Sequence, residues 1–264
     1  MPQFAYPLIG IPLIFIATTL GALFVFFIRK KDLPVRLNKI FNGFAAGVML
    51  SASFFSLIKP AIETNTTYMP SWLIVSISIA AGAAFLFGID KLVPHFHPVD
   101  NKEEGLTVNR MSKTSKMFLA VTIHNIPEGL SVGIAFGVAL AQPDNHALLV
   151  GALLLSIGMG LQNIPEGAAV SLPIKAETGS TPKAFIFGML SGIVEPIAAL
   201  LGLFLAMQIQ GVMPWALAFA AGCMLYVIAE EMIPEMTSEG HDHYGVVSFI
   251  IGFIIMMALD CLSF

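Results

Sequence analysis

Apolar residues along the chain gather in eight long blocks, and polar residues gather in the connections between them. A bilayer core about 30 Å thick is crossed by about 20 mostly apolar helical residues. Blocks of that kind run over 6–28, 40–58, 72–89, 117–141, 147–172, 184–209, 212–228 and 244–264. They predict an all-α, polytopic membrane helix bundle of eight transmembrane helices, built as one transmembrane domain over 1–264. The longest connection, about 91–116, is polar and predicts a flexible loop rather than a second soluble domain.

Composition places the chain in the bilayer. Hydrophobic residues make up 56% and charged residues 11%, with a mean hydropathy of +0.84, against roughly 45–50% and 25% in soluble domains. The net charge of −4 offers no basic surface for nucleic acid. The N-terminus lacks a basic n-region and a small-residue cleavage site, so the first block is predicted to be a retained span. Cys223 and Cys261 fall in apolar blocks without CxxC spacing and predict buried, unpaired thiols.

Charge also orients the spans. Arg29, Lys30, Lys31, Arg36 and Lys39 follow the first block; Lys91, Lys102, Arg110, Lys113 and Lys116 follow the third; Lys175 and Lys183 follow the fifth. Only Lys59 among the thirteen basic residues lies towards the other side. The positive-inside rule then predicts both termini outside in a multi-pass protein of the cytoplasmic (plasma, or cell inner) membrane. Trp72 and Trp215 begin spans at the predicted outer interface, where amphipathic rings settle.

Ionisable groups at membrane depth cost at least about 2.5–3.5 kcal/mol each, so each is a functional hypothesis. Here they cluster. The fourth block reads VTIHNIPEGLSVG, the fifth reads GLQNIPEGAAVSL, and the sixth adds Glu195 in GIVEPIAAL. Helical geometry sets His124 and Glu128 about 40° apart in azimuth and about 6 Å in height, with Asn125 on the same broad face. Gln162, Asn163 and Glu166 repeat the arrangement on an antiparallel neighbour. Pro127 and Pro165 each free a carbonyl four residues earlier, which predicts unwound backbone lining a cavity. Three glutamates in a dry site repel one another, and a divalent cation removes that conflict. One imidazole with carboxylate and amide oxygens suits Zn²⁺ and also accepts other first-row divalent ions. Hydrogen-bonding glue between helices is the plainer alternative, yet it does not need three carboxylates.

The HNIPEG and QNIPEG pair, followed by Glu195-Pro196, resembles the ZIP family of divalent-metal transporters, most closely its GufA-like prokaryotic members. The resemblance covers essentially the whole chain. It implies transport of a divalent metal, Zn²⁺ first and Fe²⁺, Mn²⁺ or Cd²⁺ as alternatives, as substrate with no cofactor. It also implies a binuclear site: His124, Glu128, Gln162 and Glu166 at one metal, and Asn125, Asn163 and Glu195 at the other, with Glu128 and Glu166 shared. Relatives often carry His at the position of Gln162 and sometimes Asp at that of Asn163. The resemblance further implies a 3+2+3 inverted-repeat fold, an elevator-like movement and a homodimer.

Secondary candidates are Glu230 and Glu231 in YVIAEEMIPEM, as helix-end carboxylates or metal-exit ligands, and His95, His97, His241 and His243 as weak transit ligands in the predicted cytoplasmic connections. Met49, Ser51 and Ser53 are candidates to line a pathway. Asp90 and Lys91 are expected to form an interfacial pair, and Asp260 to reach the outer headgroups. A metal-gated channel or metal sensor would use the same ligands. An intramembrane zinc hydrolase fits less well, because the sequence has no HExxH pair and His124 alone is a histidine at membrane depth.

Overall fold

A computed structural model describes residues 2–28, 34–64, 66–92, 95–97, 102–104, 112–142, 144–208, 211–238 and 242–262. Eight helices in it are long and apolar enough to cross a membrane: α1 Ala5–Phe27, α2 Val35–Glu63, α3 Ser71–Leu92, α4 Lys113–Ala141, α5 His146–Thr178, α6 Thr181–Gln208, α7 Met213–Thr237 and α8 Tyr244–Cys261. The connection between α3 and α4 holds a short antiparallel hairpin, β1 His95–His97 with β2 Lys102–Glu104, in which His95 faces Glu104 in register.

Proline decides where the helices depart from α geometry, though not where the motifs suggested. α4 and α5 run unbroken through Pro127, Pro165 and Pro173, so the expected unwinding at the two motifs is absent. Departures fall instead on α2, α6 and α7. A proline ring displaces the carbonyl four residues earlier, which is Ser56 for Pro60 and Glu230 for Pro234. Both carbonyls lie in wide π turns, Ser53–Ile58 and Ile228–Met232, where Lys59 N–H donates to Phe54 O and Ile233 N–H to Ile228 O, five residues back. Pro196 acts likewise on Gly192, and α6 breaks at Ile193 into Thr181–Gly192 and Val194–Gln208.

The helices form two groups. α1, α4, α5 and α6 pack on one another, as do α2, α3, α7 and α8, and fewer contacts join the groups, chiefly α2 with α5 and α4 with α7. Glycines carry the close crossings inside each group, as small residues do between membrane helices. A Cβ at Gly133 would lie 1.9 Å from the Ala199 carbonyl oxygen of α6, and one at Gly21 would lie 2.0 Å from that of Ile164 on α5. In the second group, a Cβ at Gly47 would meet the Phe249 carbonyl oxygen of α8 at 2.0 Å, and one at Gly82 that of Phe219 on α7 at 2.1 Å. These neighbours are backbone and cannot swing away. Gly47→Leu is therefore expected to lower stability by about 1–3 kcal/mol or more, the usual cost of overpacking, read as a fall in thermal midpoint in detergent. An unchanged midpoint would show that α2 and α8 do not depend on this crossing.

Two lysines, Lys39 buried and Lys175 half-buried, tie helix ends inside each group. Lys175 Nζ donates to Val25 O at 2.6 Å and Ile28 O at 2.9 Å, satisfying the last carbonyls of α1. Lys39, 1% exposed, pairs with Asp242 at 3.1 Å just before α8. Apolar side chains such as Ile197, Leu200 and Phe204 of α6 and Ile250 and Ile254 of α8 point outward, as lipid contact requires. Of the two thiols predicted to be buried, Cys223 is buried and Cys261, at the end of α8, is exposed.

Candidate metal site

The two NIPEG motifs meet inside the first group, and α6 brings Glu195 to them. Gly129, directly after Glu128, permits this approach: a Cβ there would lie 2.2 Å from the Glu195 carbonyl oxygen. The break at Ile193 puts Glu195 in the first turn of the second half of α6. Glu195 is fully buried and receives donors from three helices. Thr18 Oγ1 of α1 lies 2.8 Å from its Oε1, Asn125 Nδ2 of α4 lies 3.2 Å from the same oxygen, and Asn163 Nδ2 of α5 lies 2.5 Å from Oε2. Gln162 Nε2 donates to Glu128 Oε2 and to Asn163 Oδ1. Glu128, Glu166 and Glu195 lie within electrostatic range of one another.

Six of the seven sequence-predicted residues thus form one chamber: Asn125, Glu128, Gln162, Asn163, Glu166 and Glu195. His124 leaves it. Its Nδ1 lies 2.9 Å from Glu231 Oε2 of α7, and its Nε2 lies 4.0 Å from Asp90 Oδ1 of α3. One helical turn separates it from Glu128, and α3 and α7 capture its ring. Around it, Tyr226 OH donates to Asp90 Oδ2 at 2.9 Å, and Asn42 Nδ2 donates to Glu235 Oε2 at 2.5 Å. The expected Asp90–Lys91 pairing gives way to this: Asp90 turns inward to Tyr226, and Lys91 Nζ lies 4.4 Å from the Phe87 ring centroid. Glu231 is also within electrostatic range of Glu166, so acidic groups continue from the chamber to the end of the bundle that bears the α2 start and the α3 and α7 ends.

Among the described residues no three His, Cys, Asp or Glu side chains stand together as a closed cage, because amide donors sit between the carboxylates. Two buried oxygens in the chamber have no hydrogen-bond partner, Asn125 Oδ1 and Glu166 Oε2. Unpaired buried acceptors are costly, and both atoms suit a hard or borderline divalent cation. A half-turn of the Gln162 or Asn163 amide would add its oxygen to that set. The donor set therefore fits a divalent cation.

Other predicted residues fall elsewhere. Glu230 is exposed on the π turn of α7, and His243 is exposed at the start of α8. His95 and His97 lie on the hairpin strand β1, and His241 lies outside the described residues. Met49, Ser51 and Ser53 are all buried in α2, and Ser51 Oγ has no partner. Asp260 does not reach the headgroups: it is 3% exposed and accepts from Ser56 Oγ at 2.5 Å. It lines a cavity of about 250 Å³ with Glu63, Asn145 and Met213, at the bundle end that carries both termini. Sequence reasoning passed over Glu235, Asn42 and Thr18; only Glu235 had a signal, as the third carboxylate of YVIAEEMIPEM.

A polytopic helix bundle with carboxylates and amides from three helices enclosed at its centre belongs to the class of membrane ion carriers. Comparison with known proteins specifies the family. The ZIP zinc transporter family profile matches residues 4–117 and 115–260. The chain is 31% identical to human zinc transporter ZIP11 over 92% of this chain and 93% of that one. It is 34% identical to zinc transporter GufA of Myxococcus xanthus over 92% and 93%, and 32% identical to zinc transporter ZIPB of Bordetella bronchiseptica over 97% and 80%. The chain belongs to the ZIP zinc transporter family, whose members are transporters and not enzymes.

Proposed function

We propose that the protein carries Zn²⁺ through the chamber of Glu128, Glu166 and Glu195, from the face bearing both termini to the face bearing the basic loops, which is the cytoplasm. The single observation that carries this reading is the convergence of three carboxylates, Glu128 and Glu195 buried and Glu166 half-buried, and their amide partners from α4, α5 and α6. Glu128 and Glu166 bridge two metal positions, one with Gln162, the other with Asn125, Asn163 and Glu195. His124 takes part from the cytoplasmic side, handing the ion to Glu231 and Asp90. The acid-lined cavity at Asp260 supplies the outer approach. Support for both termini outside comes from twelve of thirteen basic residues lying on one side.

Alternating access follows from the two helix groups, α1, α4, α5 and α6 moving as a unit against α2, α3, α7 and α8. An inverted repeat relating α1–α3 to α6–α8 is supported by the matching π turns of α2 and α7, each followed by a short helix with proline in its first turn. The plasma membrane is the site of action, and a homodimer is the assembly.

The test is zinc flux into proteoliposomes loaded with a metal-sensitive dye, with zinc bound per chain measured alongside. Vesicles that bind zinc yet never admit it would sink the transport reading, and one zinc per chain at saturation would remove the binuclear part. A mixed carboxylate and amide site does not select sharply among first-row ions. Excess Cd²⁺, Fe²⁺ or Mn²⁺ is therefore expected to suppress zinc flux severalfold, while Mg²⁺, which gives up its water reluctantly, leaves it unchanged. Equal suppression by Mg²⁺ would argue for a surface charge effect instead.

A further inference from the structure

Each NIPEG motif ends in a glycine, and the two glycines do matching work. Gly129 admits the backbone of Glu195. Gly167, after Glu166, admits the backbone of Thr18, whose carbonyl oxygen would lie 2.0 Å from a Cβ placed there. Thr18 and Glu195 thus hold equivalent stations against the two motifs. They also touch: Thr18 is fully buried, and its hydroxyl lies 2.8 Å from Glu195 Oε1. A third glycine fixes it from the far side, since a Cβ at Gly192, beside the break in α6, would lie 2.8 Å from Thr18 Cβ and Cγ2. The side chain is held where its hydroxyl can serve Glu195 or the chamber. The alternative acceptor is the Ile14 carbonyl of its own helix at 3.2 Å, the longer of the two contacts.

We propose that Thr18 is a positioning residue of the zinc site: its hydroxyl orients the Glu195 carboxylate, and its neutrality keeps the chamber at three carboxylates so that zinc is held loosely enough to leave. This rests on the assignment of Glu195 as a zinc ligand. Thr18 is where α1, the remaining helix of the group, meets Glu195, so a carboxylate at this position would be a fourth in the chamber. Threonine there supplies a hydrogen bond without a charge.

The experiment is zinc flux and zinc retention in reconstituted full-length protein. Thr18→Val keeps the shape and removes the hydroxyl, and is expected to raise KM for zinc by about tenfold, the lower range for loss of a partner that orients a metal ligand, with little change in maximal rate. Thr18→Ser brings KM back towards the wild-type value. Thr18→Asp retains zinc through purification and lowers the maximal rate. The same Thr18→Val change in a Glu195→Gln background has no further effect on KM if the hydroxyl acts through that carboxylate. Unchanged KM in Thr18→Val, with Glu195→Gln impaired, overturns the role of Thr18 and leaves the site assignment standing. An equal shift in both backgrounds overturns it too. Glu195→Gln indistinguishable from wild type in flux and retention overturns the ligand assignment and this inference with it. Should Thr18→Val not fold, Thr18→Ser against Thr18→Ala isolates the hydroxyl, and equal KM for that pair is the overturning result.

Discussion

Zinc flux is expected to fall to the leak of protein-free vesicles when either Glu128 or Glu166 is replaced by alanine. A divalent ion stripped of water at membrane depth has only the chamber to compensate it, and an uncompensated ion in an apolar medium costs tens of kcal/mol. Among the described residues, the three carboxylates and their amide partners supply that compensation in the chamber. In the proposed site Glu128 and Glu166 serve both metal positions, so removing either weakens both, whereas removing Glu195 weakens one. The expected order is therefore Glu128→Ala and Glu166→Ala near zero, with Glu195→Ala retaining part of the flux. Glu128→Gln is informative because it keeps the shape beside Gln162 while deleting the charge, and it is expected to fail as completely as the alanine. Thermal stability supplies a second readout. A ligand that binds only the folded state at about 100 times its Kd adds about 2.7 kcal/mol. Zinc should thus raise the melting temperature of the wild type and leave that of Glu128→Ala where it was. Substantial flux through either alanine variant would remove the chamber from the transport route.

The number of spans, their approximate limits and the grouping of six site residues were legible in the sequence because each rests on a strong local signal. Length and apolarity fix a span, and an ionisable residue inside one has few places to go. The ends of α2 and α7 were less legible. Lys59–Glu63 and Glu230–Thr237 are polar enough to fall outside a hydropathy window, yet the helices continue through them in π and α turns. His124 shows the limit of reasoning from one helix. Azimuth puts it beside Glu128, but which neighbour takes the ring depends on where α3 and α7 pack, and nothing in the fourth block encodes that. Asp260 differs for the same reason: near a helix end the interface is the default, and the positions of Ser56 and Lys59 on α2 make a buried alternative. Backbone departures fall at Pro60, Pro196 and Pro234, which alter their helices, while Pro127 and Pro165 do not. Thr18 had no signal at all. A threonine in an apolar span is commonplace, and its place beside Glu195 comes from three glycines on other helices.

Locking α5 to α8 is expected to stop transport, and to do so reversibly. The two helix groups are closely keyed within themselves by glycine crossings against backbone, and such crossings resist sliding because a shift of one residue drives Cβ atoms into the opposing chain. Between the groups the corresponding contact at Gly158 is of another kind. A Cβ there would meet Met256 of α8 at its sulfur, 2.1 Å away, the far end of a flexible side chain that can swing aside as the helices pass. Gly158→Cys with Met256→Cys, in a background where Cys223 and Cys261 are replaced by serine, places two thiols across this boundary and removes the methionine that would crowd them. A short bifunctional thiol reagent should then abolish zinc flux, and reduction should restore it. The control pair lies within one group: Phe85→Cys with Phe219→Cys on α3 and α7, whose rings have centroids 5.5 Å apart, joins helices that stay together in the proposed movement and should leave flux intact. Loss of flux in both pairs would mean general rigidity is what matters, and loss in neither would mean that the ion crosses without relative motion of the groups, as in a channel. Only loss confined to the 158–256 pair fits carriage of the chamber by α1, α4, α5 and α6 past a stationary partner, because only that crosslink spans the boundary along which the two groups must slide.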